Sequence, residues 1–254
     1  MKIFDVQIDA LSLREAKRAL EKPQIIFTPN PEILLEARVN RSFRKALKKG
    51  TLMLPDGHGL LLVSTLLLFK KAWRVFLYLP SLVLFLVWKW PFKRVLPEVI
   101  HGSDFMALLL EWAEKNGKSV FFLGAGAGVA EETARYFERV FPRLKVAGFS
   151  SANPSEAAFK TVRASKAEVL LVAYGAPKQE EWIAKYAARL KLFHVMGVGG
   201  SFDFWSGKIK RAPRLLRRLG LEWLWRLILQ PAKRLRRIYS ATIKFPLLSL
   251  FFGD

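Results

Sequence analysis

The sequence predicts an α/β fold in which helices flank a mostly parallel sheet. Three observations support it: short apolar runs, segments of helical spacing between them, and polar or glycine-rich loops after the runs. Short, continuous apolar or β-branched runs indicate buried strands. The runs are Gln24 to Thr28, Thr51 to Leu54, Ser119 to Leu123, Leu144 to Phe149, Glu168 to Ala173 and Leu192 to Val198.

The first predicted helix precedes these strands. Ser12 and Glu15 have the spacing of a capping box, in which each side chain satisfies an otherwise free backbone amide. A short helix to about Leu20 is expected to follow. Further segments of helical spacing separate the strands, and this alternation is typical of parallel α/β sheets. They are Pro31 to Asn40, Ser103 to Asn116, Val129 to Phe141 and Lys178 to Leu190.

Polar residues and glycines follow most of the predicted strands. Ligands of such sheets bind beyond the carboxyl ends of the strands, so these loops are the candidate ligand-binding crevice. Asp56 follows the second strand directly, where a carboxylate could act as the base for a hydroxyl acceptor; an ordinary turn aspartate is the alternative. Thr28 and Asn30 flank one proline and precede another, which rigidify their loop, although turn chemistry also explains both residues.

Two glycine-rich strand ends could bind phosphate or ribose. Backbone amides from Gly124 to Gly128 lie between a strand and a helix, but the spacing is not the dinucleotide fingerprint, and a tight turn without a ligand is equally consistent. The second glycine-rich strand end runs from Gly197 to Gly200 and contains Gly199. Asp203 follows it. Its carboxylate could accept hydrogen bonds from ribose hydroxyls or cap a local turn.

A long apolar insert, at about residues 60 to 95, interrupts the α/β pattern. Lys70, Lys71 and Arg74 divide it, and the continuous piece from Val75 to Trp88 is too short to cross a hydrocarbon core of about 30 Å as a straight helix. Tryptophans near its ends favour a monotopic hairpin or an interfacial helix. A buried hairpin or a dimer contact is the alternative.

The C-terminal part is strongly basic. From Lys208 to Lys244, Glu222 is the only acidic residue among many arginines, lysines and aromatic residues, which is typical of a basic amphipathic surface helix. We therefore divide the chain into a catalytic domain at 1–205, with the apolar insert, and a basic appendage at 206–254.

Composition narrows the function without deciding it. With 42 basic and 21 acidic residues, the net charge of +21 requires a polyanionic partner: nucleic acid, an anionic membrane or a phosphate-bearing substrate. The absence of cysteine excludes disulfides, thiolate metal sites and cysteine nucleophiles. The three histidines have no metal-ligand spacing, and no Asp-x-Asp motif is present. The first ten residues contain no secretory signal, which predicts a cytoplasmic catalytic part.

Taken together, the loops resemble the TagA/WecG/CpsF family, glycosyltransferase family 26, of bacterial cell-surface polymer synthesis. The resemblance runs in order over nearly the whole chain. The matching elements are Thr28-Pro29-Asn30-Pro31-Glu32, Pro55-Asp56-Gly57, Gly102-Ser103-Asp104, Phe122-Leu123-Gly124, Tyr174-Gly175-Ala176-Pro177-Lys178-Gln179-Glu180, Gly197-Val198-Gly199-Gly200, Phe202-Asp203, Arg211-Ala212-Pro213 and Leu221 to Arg226.

The resemblance implies an inverting, metal-independent transferase without a cofactor. It implies a UDP-N-acetylmannosamine-type donor and a polyprenyl-diphosphate-linked sugar acceptor. The apolar insert, the basic stretch and the absence of a secretory signal predict a location on the cytoplasmic face of the cell membrane, peripheral or monotopic. Asp56 would be the general base. The other implied or predicted binding residues are Thr28, Asn30 and Gln179 for the sugar and diphosphate, Asp203 for the nucleoside, Gly124, Tyr174 and Gly199 in the crevice, and Arg226, Lys233 and Arg236 for the diphosphates.

The sequence departs from the family in two places. The family usually has an arginine just before Gly102-Ser103-Asp104, which supplies a cation to the pocket. This chain reads Val99-Ile100-His101 there, so that cation is missing or is replaced by His101 or Arg94. The link that contains the apolar insert is also longer than usual, which suggests added attachment to an anionic membrane.

Two other classes of protein share some of these sequence features. A nucleic-acid-binding protein would explain the charge and the arginine clusters with aromatics, but the apolar insert counts against it. A nucleotide-dependent oxidoreductase would need the complete glycine fingerprint and its acidic ribose partner, which are absent. The sequence leaves open whether the active form is a monomer or a homo-oligomer.

Overall fold

The computed structural model describes residues 1–88, 90–209, 213, 225, 227, 228, 231, 235 and 239–252. A hairpin of two short strands, β1 (Lys2–Ile3) and β2 (Val6–Gln7), opens the chain. The main sheet of the described part has six strands in the order β4-β3-β8-β7-β5-β6, and every pair is parallel. These strands are β3 (Gln24–Phe27), β4 (Leu52–Met53), β5 (Ser119–Gly124), β6 (Lys145–Ser150), β7 (Val169–Ala173) and β8 (His194–Gly197).

Helices cover both faces of this sheet. On one face lie α2 (Pro31–Val39), α3 (Arg41–Leu47), α4 (Gly59–Leu66), α5 (Lys71–Val87), α8 (Glu156–Ser165), α9 (Lys178–Tyr186) and α11 (Phe245–Phe252). On the other lie α1 (Leu13–Ala19), α6 (Gly102–Lys115), α7 (Val129–Val140) and α10 (Ser201–Trp205). Short 3₁₀ turns at Trp90–Lys93 and Ala187–Arg189 and a π-helical turn at Ser240–Lys244 complete the described elements.

Each face of the sheet contributes to its own hydrophobic core. Along β5, Phe121 and Leu123 point into the core with α8 and α9, whereas Val120 and Phe122 point into the core with α6 and α7. Successive side chains of a strand point to opposite faces, so a strand buried on both sides must be apolar at every position. This explains why the sequence shows continuous apolar runs.

The predicted fold class is confirmed. All six strands lie within two residues of the predicted runs, and the capping box at the start of α1 is present, with Ser12 accepting from the Glu15 amide. Four described helices, α3, α8, α10 and α11, lie outside the segments predicted to be helical. Among them, α3 begins at an unpredicted cap, where the Asn40 side chain accepts a hydrogen bond from the Phe43 amide at 3.0 Å.

The apolar insert forms α4 and α5, which pack differently. Six of the eight residues of α4 are buried in the core. In α5 the inner face is covered, with Phe85 6% exposed, whereas the outer face leaves large apolar side chains in solvent. Within the described residues no helix is long and apolar enough to cross a membrane.

The end of the chain returns to the core. Phe245 and Leu250 of α11 are fully buried, and the preceding turn places the Ala241 carbonyl against Gly59 at the start of α4. A substantial part of the segment that we assigned to the appendage therefore packs on the α/β domain. Most of the basic stretch between Lys208 and Lys244, including Arg226, Lys233 and Arg236, lies outside the described residues.

Candidate active site

The predicted loops meet at the carboxyl edge of the sheet. Across the sheet they come from β4 (Asp56), β3 (Thr28), β8 (Gly199), β7 (Tyr174) and β5 (Gly124). After β7 the chain passes to α9 on one face, whereas after β5 and β8 it passes to α7 and α10 on the other. Loops that diverge to opposite faces open a crevice between them, which is where ligands bind in sheets of this type.

Asp56 is held at one side of this edge by backbone hydrogen bonds. Its amide donates to the Pro29 carbonyl at 3.0 Å, and the amide of Ile100 donates to the Pro55 carbonyl at 2.9 Å. The second bond brings the segment before α6 alongside the Asp56 loop. As a result, His101 Nδ1 lies 3.0 Å from Asp56 Oδ1, with the two side chains 37% and 28% exposed.

Thr28 completes this corner of the site. A Cβ added to Gly102 would lie only 2.9 Å from Thr28 Oγ1, so the threonine packs directly on the backbone at the start of α6. Asn30 has a different contact: its Oδ1 accepts hydrogen bonds from the amides of Glu32 and Ile33, both at 3.0 Å. It therefore caps α2, and its Oδ1 supports the loop that carries Thr28.

Gln179 connects the loops after β7 and β8. Its side chain is buried, and its Oε1 accepts hydrogen bonds from the amides of Gly175 at 3.2 Å and Gly199 at 2.9 Å. Its Nε2 donates to Glu180 Oε1 at 2.8 Å. The sequence suggested Gln179 as a ligand-lining residue; the structure shows a side chain whose polar atoms position two loops.

Glu180, which the sequence did not single out as a functional residue, is a buried carboxyl beside this connection. It is 1% exposed, and its Oε2 has no hydrogen-bond partner within the described part of the chain. Burial disfavours the charged form and raises the pKa of Glu180 to about 7. The neutral, protonated form of this carboxyl is therefore favoured over a wider pH range than that of an exposed glutamate.

Tyr174 and Gly124 are in contact at the junction of β7 and β5. A Cβ on Gly124 would lie 2.8 Å from Tyr174 Cδ1, and Gly124 has a φ of +99°, so no larger residue fits there. Burial raises the pKa of the Tyr174 hydroxyl, which has no partner among the residues that the structure describes. The phenol is thus neutral and can donate a hydrogen bond.

A cation that the sequence analysis did not identify as a site residue, Lys208, lies against the loop after Gly124. The Lys208 ammonium lies 3.2 Å from the position that a Cβ on Gly126 would occupy. A backbone hydrogen bond of 2.8 Å from Ile209 to the Asp203 carbonyl holds the segment that bears Lys208. The Asp203 side chain itself lies near Gly200, in the first turn of α10. The sequence analysis did not identify Lys208 because no local pattern distinguishes it from the other lysines and arginines of the basic stretch.

The other titratable residues that the structure describes do not form a metal site. His194 is buried at the opposite end of β8, where its Nε2 lies 3.1 Å from the Leu20 carbonyl and burial lowers its pKa to about 4. It packs in the core against Trp112. In the described ranges, no group of three or more histidine, aspartate or glutamate side chains could hold a metal ion.

Comparison with known proteins identifies the family. The sequence model of the glycosyl transferase WecG/TagA/CpsF family matches residues 1–83 and 75–252. The chain belongs to this family.

Three curated relatives of this family member share the name N-acetylglucosaminyldiphosphoundecaprenol N-acetyl-beta-D-mannosaminyltransferase. The relative from Bacillus spizizenii is 36% identical over 222 residues, which are 86% of this chain and 76% of the relative. The one from Bacillus subtilis is 31% identical over 209 residues, 82% and 72% of the two chains. The one from Staphylococcus aureus is 28% identical over 221 residues, 86% and 76%.

In this WecG/TagA/CpsF family member, the predicted residues fall into two groups along the carboxyl edge of the sheet. Asp56 and Thr28 lie together at one corner, whereas Gly124, Tyr174 and Gly199 lie along the rest of the edge. At the position before Gly102 where we expected a replacement for the family's arginine, His101 contacts Asp56.

Proposed function

We propose that the chain transfers an N-acetylmannosamine-type sugar from a UDP-sugar to a polyprenyl-diphosphate-linked sugar. The observation that carries this proposal is the position of Asp56, a partly exposed carboxylate held at the ligand edge of the sheet in a member of a glycosyltransferase family. The names of the curated relatives support the choice of sugar and acceptor.

In the proposed reaction Asp56 is the general base. The acceptor hydroxyl oxygen bonds to the anomeric carbon while its proton passes to Asp56, and the bond from that carbon to the diphosphate breaks. UDP leaves with the electron pair of that bond, and attack opposite to the leaving group inverts the anomeric centre. A positioned base of this kind contributes about 100- to 10,000-fold to a rate.

We infer the orientation of the donor from the order of the strands in the sheet. Asp56 follows β4 and Gly124 ends β5. These strands are four positions apart in the sheet, or about 19 Å at about 4.8 Å per strand. We place the sugar at the corner of Asp56 and Thr28, and the nucleoside towards Gly124, Tyr174 and Asp203. The diphosphate then lies between them, over the loop of Gly199.

Cations must compensate the charge that develops on the leaving diphosphate. Lys208 lies over Gly126 at the nucleotide side of the crevice and is exposed, so it can reach an anion there. From the family resemblance we add Arg226, Lys233 and Arg236, which lie outside the described residues, as further partners of the diphosphates.

The lipid-linked acceptor requires the enzyme to work at a membrane surface, and α5 supplies an apolar face for it. Trp73, Phe76, Leu79 and Val83 are 59–75% exposed and follow one side of the helix. Such a face buried in the lipid interface, together with a net charge of +21 beside anionic headgroups, supports peripheral attachment to the cytoplasmic face.

Transfer between defined substrates tests this function. The purified chain is incubated with UDP-N-acetylmannosamine and a prenyl-diphosphate-linked N-acetylglucosamine in detergent, and the product is identified by mass spectrometry. We expect a disaccharide on the lipid and release of UDP. UDP-N-acetylglucosamine and UDP-glucose serve as competing donors, and failure with every UDP-sugar would contradict the proposal.

A further inference from the structure

We propose that His101 is a positioning residue that orients the carboxylate of Asp56 for proton transfer. The inference rests on the proposed function, in which Asp56 is the base, and adds a second residue to its machinery. Neither the family match nor the names of the relatives assigns a role to this histidine.

The contact defines which atoms interact. His101 Nδ1 lies 3.0 Å from Asp56 Oδ1. An ionised carboxylate only accepts hydrogen bonds, so Nδ1 must carry the proton and donate it to Oδ1. The second carboxylate oxygen, Oδ2, is then the one to receive the proton of the acceptor hydroxyl.

The backbone on both sides of His101 is fixed to the active-site loops. On one side, the Ile100 amide donates to the Pro55 carbonyl at 2.9 Å. On the other, Gly102 is buried and packs against Thr28 Oγ1. The His101 carbonyl itself accepts from Phe105 at 2.9 Å in the first turn of α6. The imidazole is therefore attached to the same framework that carries Asp56 and Thr28.

This framework limits the rotation of the Asp56 carboxylate. Without a donor at Oδ1 the partly exposed carboxylate would sample several orientations, and only some direct Oδ2 at the acceptor. Small errors in the placement of a catalytic group can reduce a rate by about 100-fold. The loss falls on the chemical step, because His101 acts through Asp56 and not through the bound donor.

A second histidine belongs to the same corner. The rings of His58 and His101 have centroids 5.8 Å apart and are tilted by 50°. His58 also precedes α4, so it contacts the corner from the side of the Asp56 loop. Substitution of His58 by glutamine provides a nearby control for general disturbance of the corner.

Three substitutions of His101 distinguish the effect of its hydrogen bond to Asp56 from the effect of the space that its side chain fills. Asparagine places its amide nitrogen at the same number of bonds from Cα as Nδ1, whereas glutamine places it where Nε2 lies and leucine has no donor. We expect His101→Asn to retain kcat within about 5-fold, and His101→Gln and His101→Leu to lower kcat by about 100-fold with KM for the donor changed less than about 3-fold.

A double substitution tests whether the effect passes through Asp56. In an Asp56→Asn background, His101→Leu is expected to cause little further loss, because residues that act as a unit are not additive. Equal losses in the asparagine, glutamine and leucine variants, or a wild-type kcat in His101→Leu, would overturn the inference. If instead the wild-type chain shows no transfer to any lipid-linked acceptor, the proposed function itself fails.

Discussion

The side chain of Gln179 accepts a hydrogen bond from the backbone amide of Gly199 at 2.9 Å, across the gap between two loops. The same oxygen accepts from Gly175, so one buried amide determines the separation of the loops after β7 and β8. Because both loops face the proposed nucleotide, the amide fixes backbone groups that would otherwise be free to move away from a ligand.

Replacement of this amide is expected to weaken both the fold and UDP binding. Gln179→Leu leaves two partly buried amides without their acceptor, which costs up to about 1–3 kcal/mol for each group that stays unsatisfied. Denaturant unfolding and calorimetry with UDP measure the two effects. Gln7→Leu, at an exposed glutamine of β2, is the matched control. Unchanged UDP affinity in Gln179→Leu would contradict the positioning role.

The raised pKa of Glu180 predicts a pH-dependent stability. Because the folded-state pKa is about 7 against about 4.5 unfolded, the protonated carboxyl stabilises the fold below about pH 4.5, and this contribution is lost as the pH rises through 7. Glu180→Gln removes the titration. The free energy of unfolding of Glu180→Gln should be close to that of the wild type at pH 4.5 and exceed it by about 3 kcal/mol at pH 8. A constant difference between pH 5 and 8 would contradict this assignment.

Lys208 is predicted to contribute to donor affinity. A charged hydrogen bond to a phosphate typically contributes about 1.5–3 kcal/mol, so Lys208→Gln is expected to raise the Kd for UDP by at least about 10-fold. The affinity for uridine, which lacks phosphate, is measured in parallel. A loss of affinity for UDP but not for uridine indicates that Lys208 acts through its charge and not through packing. Lys160→Gln, on the exposed side of α8, controls for the change in net charge. Equal affinities of the two variants would remove Lys208 from the site.

The outer face of α5 is predicted to bind lipid without help from charge. Phe76→Gln with Leu79→Gln removes apolar area but no charge, and Val140→Gln on α7 is the matched exposed control. In liposome flotation the wild type and the control should float with neutral lipid and at high salt. The double variant should float only with anionic lipid at low salt, because screening acts on the basic contribution alone. A wild type that stays soluble with anionic lipid would contradict membrane attachment.

The sheet could be predicted from the sequence because burial on both faces requires uninterrupted apolar runs, as in Val169–Ala173. The positions of Asp56 and Gly124 followed from the rule that ligand loops succeed parallel strands. What could not be predicted are contacts between distant segments. The approach of His101 to Asp56 depends on a hydrogen bond between Ile100 and Pro55, and no local pattern encodes that pairing.

The packing of the apolar insert also could not be predicted from local sequence. Composition alone does not distinguish α4, which the core covers, from the outer face of α5, which it does not. The burial of Phe245 was also unforeseen, because a short apolar segment after a basic stretch has no sequence signal for its partner on α4. Local spacing therefore predicted the elements, whereas tertiary contacts decided which of them form the site.

The most direct test of the central claim is the transfer rate of Asp56→Asn, measured together with its affinity for UDP. Asparagine keeps the size of the side chain but cannot take the proton of the acceptor hydroxyl. We predict a fall in kcat of about 100- to 10,000-fold, with the Kd for UDP changed less than about 3-fold. A variant that retains near-normal turnover would contradict the assignment of Asp56 as the base, and a parallel loss of UDP binding would make it a donor ligand instead.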